Sequence, residues 1–311
     1  MDDEPLWNTV YRVVCQVARQ QSSQPPRPGR PDRYCTAQVV LVWLLAALWD
    51  WPMSRTTVRL RSWRWRSAMR RLGWRLPGGL PPHRTTLLRR ARRGDFAQLL
   101  EAVNQELIRR LGPDWCELVI DSSALPVSGI SHDRDATWGH HWVRGYRLHT
   151  LLSREGVIVL EQLRPANVHE LRVAPQLVRA AAAAAARRPP RCRTRYVSGD
   201  DGYDSEPLHR CCRATLGAML VAPLNDRGGR RIMLRTPLRR QLHRRWDAPR
   251  VRGVRRRRSV VERMYSVAKS ARFRLYALPP FIRHLPRVRR WVKLKTVLYH
   301  ADLLRKLRKI G

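Results

Sequence analysis

What this 311-residue chain has least of is acid: 24 Asp+Glu stand against 62 Lys+Arg, a formal net charge of +38. Such an imbalance opposes compaction by self-repulsion until a polyanion neutralises it. It points to nucleic acid, because each phosphate contacted by a basic side chain releases condensed counterions. An anionic membrane surface is the weaker fit. Lysine is scarce too; the five (Lys269, Lys293, Lys295, Lys306, Lys309) all lie near the C-terminus. The remaining cations are arginines, which suit bidentate phosphate contact and stacking on bases. Six cysteines form no CxxC pair, which excludes a zinc site or a regular disulfide framework and implies a reduced, cytoplasmic chain associated with the nucleoid. Adjacent Cys211 and Cys212 read as buried thiols of a helix. No apolar run approaches the roughly 20 residues a membrane span needs. The most apolar, Ala37 to Trp49, reads as a buried helix. The opening "MDDEPLWNTV" is acidic and unlike a signal peptide, so the expectation is a soluble protein with no membrane partner.

The chain is long enough for two domains. Residues 1–112 read as a small, basic, all-helical domain suited to DNA binding. It holds a Pro/Arg linker, the apolar helix from near Thr36, the Arg/Trp segment "SRTTVRLRSWRWRSAMRRLGW", the loop "PGGLPP", and helix-spaced Phe96, Leu99, Leu100, Val103 and Leu107. The character changes at Trp115, and residues 113–311 read as a second, α/β domain. "WCELVID" is a strand ending in Asp121, and "YRLHTLLSREGVIVLEQLR" is a hairpin turning at Glu155-Gly156. A helix with seven consecutive alanines follows, then the strand "RYVSGDD", the helix "PLHRCCRATLG" and the strand "AMLVAPL". Asn225 to Arg257 is basic and weakly patterned, and a helix begins near Ser259. The order of elements argues a mixed sheet flanked by helices.

Three acids stand out in so basic a chain. Asp121 and Asp200 lie at strand ends, and Glu262 lies on the last of these helices. At about 100° per residue, Arg258, Glu262, Tyr265 and Lys269 share one helix face, opposite Val260, Met264, Val267 and Ala271. Each acid also has a plain reading. Asp121 before Ser122-Ser123 fits a turn or cap, Asp200-Asp201-Gly202 an Asp-Gly turn, and Glu262 an i,i+4 pair with Arg258. Taken together, two strand-end aspartates and a helix glutamate suit two divalent ions flanking a phosphate, and hard carboxylate oxygens suit Mg²⁺ or Mn²⁺.

These segments resemble DDE transposases of the bacterial insertion-sequence type, over about residues 36–305. "LVIDSSALPV" resembles the segment of the first catalytic aspartate. "GYRLHTLLSREGVIV" resembles a Gly-Tyr-Lys-Leu-His hairpin, with Arg147 where lysine is usual. "ANVHE", ending at Glu170, resembles the Asn-x-His-Asp/Glu turn after it. "GDDGYDS" resembles Ala-Asp-Lys-Gly-Tyr-Asp-Ser, with Asp201 replacing the lysine. Arg258, Glu262 and Lys269 match an Arg-x3-Glu-x6-Lys signature, although Arg255 occupies its usual tyrosine position. The resemblance implies an RNase H-like catalytic domain in which Asp121, Asp200 and Glu262 bind two Mg²⁺ (or Mn²⁺) ions and are catalytic. It assigns Asp200 rather than Asp201 as the second acid. It implies DNA contacts for Arg258, Lys269, Arg147 and Tyr265, with Tyr203 and Tyr265 either stacking on an unpaired base or packing in the core.

The implied activity is metal-dependent cleavage at terminal inverted repeats and strand transfer into target DNA. The protein would act as a homodimer or higher assembly, with the N-terminal domain binding the repeats. Two alternatives stay open: a related nuclease without strand transfer, and a non-catalytic basic DNA-binding protein. His149 and His169 lie in the matched motifs and also read as ordinary hydrogen-bonded histidines. Of Trp63 and Trp65, one is expected in the helical core.

Overall fold

The computed structural model describes residues 4–21, 32–62, 65, 67, 76–186, 193–225, 236–270, 273 and 278–307. Contacts divide the chain into two compact units. One is Met1–Leu111 with Ala271–Leu275 and Pro286–Gly311; the other is Gly112–Ser270 with Tyr276–Leu285.

The helical unit contains α1 (Glu4–Gln21), α2 (Thr36–Leu48), α3 (Met53–Arg61), α4 (Arg84–Arg90), α5 (Gly94–Leu111) and most of α11 (Leu285–Leu307). The apolar run is a buried helix, α2, with every residue from Val39 to Leu48 inside. No single helix among the described residues is long and apolar enough to cross a membrane. Trp65 packs edge-on against Trp49 and Trp51, while Trp63 lies outside the described residues. The last helix departs from the division drawn at residue 112, which gave everything after it to one domain. α11 buries Val288, Trp291, Val297 and Leu298, and its polar groups find partners in the helical unit. Lys295 pairs with Asp50 at 2.7 Å, Lys293 with Glu101 at 3.1 Å, and His300 with Asn104 at 2.8 Å.

The α/β unit is built on a six-stranded mixed sheet: β1 (Glu117–Pro126), β2 (Thr137–Trp138), β3 (Arg144–Ser153), β4 (Ile158–Pro165), β5 (Tyr196–Ser198) and β6 (Met219–Val221). β3 lies between β1 and β4, antiparallel to both, and β2 extends its outer edge. β5 pairs parallel with β1, and β6 parallel with β5. This is the mixed sheet expected. β1 does not end at Asp121. Its ladder with β3 runs from Leu118–Ser153 to Pro126–Gly145, so Asp121 is in mid-strand and Ser122-Ser123 form no turn. The long hairpin partner keeps β1 extended.

α6 (Glu170–Ala185) and α7 (Glu206–Leu216) cover one face of the sheet. Val173, Leu177, Val178, Leu208 and Cys212 meet Leu118, Ile120, Leu151, Val197 and Leu220 there. The His169 side chain caps α6 by accepting from Leu171 N–H. The stretch from Asn225 to Arg257, which looked weakly patterned, contains α8 (Pro237–Arg244) and α9 (Pro249–Arg257), though 226–235 lie outside the described residues. Their sparse apolar residues, Leu242, Val251 and Val254, cluster with Val221. The pattern was hidden because arginine occupies nearly every other position. α10 (Val260–Lys269) packs on β1.

Candidate active site

The parallel pairing of β5 with β1 brings two of the acids together. Val119 is opposite Ser198, the last residue of β5, and Asp200 follows near enough to Asp121 for the two charges to act on each other. Asp200 lies two residues past the end of β5. Its Oδ1 accepts from Gly202 N–H at 2.9 Å and opens a 3₁₀ turn over Asp201–Tyr203. Asp200 is half-buried and turned inward, while Asp201 is exposed. Asp121 Oδ1 accepts from Ser122 N–H at 2.7 Å. Burial pushes the Asp121 carboxyl up to about 6, and the negative charges of Asp200 and Glu170 add to the rise against Ser122 N–H and Arg258. Asp200 is raised by burial, then by Glu170 and Asp201, with Gly202 N–H and Arg258 opposing.

The third acid brought to this pair is Glu170, the first residue of α6. Its Oε2 accepts from Ser122 Oγ at 3.0 Å and from Arg147 Nη1 at 2.9 Å. Glu262 lies elsewhere: its side chain is 71% exposed on α10 and stands 3.7 Å from Arg258. Only its neighbour Arg258 acts on Asp121 and Asp200. The sequence motif contained Glu170 but attached no role to it; the signal available was an acid immediately after a helix-capping histidine.

Two expected DNA contacts are placed differently. Tyr265 is 9% exposed, and its hydroxyl lies 2.9 Å from Thr150 Oγ1 and donates to Leu148 O at 3.4 Å, so it cannot stack on a base. The buried stripe of α10 is Val260, Val261, Met264, Tyr265 and Ala268, with Val267 only half-buried. The tyrosine ring offers the larger apolar area and has hydrogen-bond partners on the sheet, so it turns inward. Arg147, also expected on DNA, is engaged with Glu170. Lys269 is exposed, its ammonium 5.6 Å from the Tyr265 ring centre. Tyr203 is 1% exposed, and its hydroxyl lies beside Ser122 without a well-formed hydrogen bond among the described residues. Burial, then Asp121 and Glu170, raise it well above the usual phenol range.

A second cluster, Asp133, Asp135 and His284, has ligand atoms within 4.8 Å of one another. The buried Asp133 carboxylate is already committed, accepting from Tyr146 Oη (2.8 Å), His284 N–H (3.0 Å) and Asp135 N–H (3.1 Å). Asp135 accepts from Leu285 N–H at 2.8 Å. These bonds tie 284–285 to the sheet and leave the carboxylates poorly placed to bind an ion. Asp204 is likewise structural. Its carboxylate, 2% exposed, accepts from Arg239 Nε at 2.9 Å and Asn225 N–H at 3.0 Å, beside His209 Nε2 at 3.2 Å.

Acids gathered just past the parallel β1–β5 pairing, on a mixed sheet in a strongly basic chain, define a class of enzyme whose carboxylates hold divalent metal for phosphoryl transfer on nucleic acid. The family model of the transposase DDE domain matches residues 113–279, more than half of the chain, and the chain belongs to that family. Its activity is DNA transposition, by cleavage and transfer of DNA strands. Among solved structures, the chain is similar to a synaptic complex of the piggyBac transposase with hairpin DNA, at 8% identity and a TM-score of 0.48, covering 98% of this chain and 75% of that one. It is also similar to a Mos1 transposase paired-end complex with the left transposon end, at 11% identity and a TM-score of 0.25, covering 81% and 83%. No curated protein matches the chain.

The residues present fit a divalent cation. Asp121 and Asp200 each have one oxygen held by a backbone N–H and the other without a hydrogen bond among the described residues. Hard oxygens that repel one another are what such an ion neutralises.

Proposed function

We propose that the chain is a cut-and-paste transposase that cleaves DNA at terminal inverted repeats and joins the freed ends to target DNA. It would work as a homodimer or higher assembly, because the reaction requires paired ends. The observation that carries this reading is the meeting of Asp121, on β1, with Asp200, just past the end of the parallel-paired β5, under the charge of Arg258. Asp121, Asp200 and Glu262 are the proposed metal ligands, for two Mg²⁺ ions or Mn²⁺ in their place. When bound, such ions lower the pKa of the attacking water or 3′-hydroxyl and stabilise the leaving oxygen.

The chain's own residues supply the rest. Arg258 and Lys269 hold phosphate oxygens beside the scissile bond. A phosphate that takes Arg258 releases Glu262 from its 3.7 Å pair to turn toward the two aspartates. The helical region, residues 1–112, binds the terminal repeats, with Arg55, Arg59 and Arg61 exposed along α3.

The test is nicking and end-joining of a plasmid carrying the coding sequence with its native flanking DNA, in Mg²⁺ or Mn²⁺. Wild type and Asp201→Asn should produce cut 3′ ends and joined product. Asp121→Asn, Asp200→Asn and Glu262→Gln should bind the DNA and leave it intact. Cutting without joining would identify a nuclease. Binding without cutting by every protein would leave only a basic DNA-binding protein.

A further inference from the structure

We infer that Glu170 is a further metal-binding carboxylate of this site, held in place by Ser122 and Arg147. The inference rests on the reading of Asp121 and Asp200 as metal ligands. Glu170 Oε2 is occupied by Ser122 Oγ and Arg147 Nη1, whereas Oε1 takes no hydrogen bond among the described residues. Oε1 lies over Gly202, 2.7 Å from where a Cβ would sit, and Asp200 Oδ1 lies 3.0 Å from the same point. The absence of a side chain at residue 202 therefore makes room for two carboxylates to converge.

An acid at the first position of a helix is ordinarily a partner of the helix dipole, turned to solvent. Glu170 instead converges with Asp200 over Gly202 and bonds Ser122, the residue next to Asp121. One arginine on Oε2 does not account for that placement. A second sign is Tyr203, whose fully buried hydroxyl lies beside Ser122 but makes no well-formed hydrogen bond among the described residues. Buried polar groups are nearly always paired, so a ligand or its bound water between these acids would satisfy it. One oxygen held by protein donors and the other presented to the site is the arrangement by which surrounding groups orient a metal-binding carboxylate. The ligand class is a hard divalent cation, shared with Asp121 and Asp200. Arg147 is here a positioning residue rather than a DNA contact.

The experiment is titration of the full chain with Mn²⁺ alone, without DNA, read by electron paramagnetic resonance, with thermal melting in EDTA as the check on folding. The proteins are wild type, Asp121→Asn, Glu262→Gln, Glu170→Gln and Glu170→Asp. The last keeps a charge for Arg147 but withdraws the oxygen by one methylene. Glu170→Gln and Glu170→Asp should each weaken Mn²⁺ binding by roughly tenfold or more, with Glu170→Asp melting within a few degrees of wild type. If both bind Mn²⁺ as wild type does while Asp121→Asn does not, Glu170 is only a structural partner of Arg147 and the inference falls, with the two-aspartate reading intact. If wild type and Asp121→Asn bind Mn²⁺ equally, the underlying reading of the site falls as well.

Discussion

Two buried histidines show what a strongly basic chain does to its titratable side chains. His149 on β3 is pushed down to about 3 by burial, helped by Arg147, Arg164 and His169. His300 on α11 is pushed down to about 3 by burial and Lys293, and it donates Nδ1–H to Asn104 Oδ1. For a base, a folded value below the unfolded value of about 6.5 means that the unfolded chain takes up the proton first. Their contribution is fully present above about pH 6.5 and is lost as pH falls toward 3, at about 1.4 kcal/mol per pH unit for each. Asp121 acts oppositely, since an acid raised to about 6 adds stability as pH falls through that value. Comparing urea unfolding of wild type and His300→Gln at pH 7 and pH 5 isolates one histidine. The variant should lose about 2 kcal/mol less than wild type over that interval. An equal loss would mean that His300 is charged or exposed in the folded state.

At the level of elements, the antiparallel β1–β3 pair sets the site, because it carries Asp121 and Ser122 on one strand and Arg147 on the other. Its end is closed at Gly145, where a Cβ would lie 2.3 Å from Leu125 O and 2.9 Å from Pro126 Cα, at a φ of 158°. No side chain fits without separating the strands. Gly145→Ala should cost about 1–3 kcal/mol of stability. It should also reduce DNA cleavage more than DNA binding, because Arg147 is two residues along the same strand. Thermal melting together with binding and cleavage assays on the one variant checks this; a variant with unchanged melting would show that the strand end tolerates a wider spacing.

For the molecule as a whole, the net charge of +38 makes partner binding an electrostatic matter. Binding of a labelled duplex, followed by fluorescence anisotropy, should weaken steeply with salt. A footprint of six to ten phosphates loses roughly 10³–10⁵ in affinity between about 50 and 200 mM. The same duplex should raise the melting temperature at low salt, since relief of self-repulsion stabilises the folded form. A salt-independent affinity would remove the charge from the account of binding.

Much of the fold could be read directly because local chemistry decided it. Alternation over Tyr146 to Arg164 on either side of Glu155-Gly156 marked the hairpin, the alanine run marked α6, and the continuous apolar stretch marked the buried helix α2. Asp121 and Asp200 could be singled out because acid is rare here and each follows a short apolar run of sequence. Three things depended on packing between segments far apart in sequence. The length of β1 is set by β3, so Asp121 is not the strand's end. The burial of Tyr265 is set by Thr150 and Leu148 on the sheet, which no helical wheel contains. Glu170 joins the aspartates only because α6 begins above the turn after β5, with Gly202 leaving the space. Local pattern reports which face of an element is apolar. Which acids meet at the end of a sheet depends on strand register and helix placement, and those are fixed only when the distant segments pack.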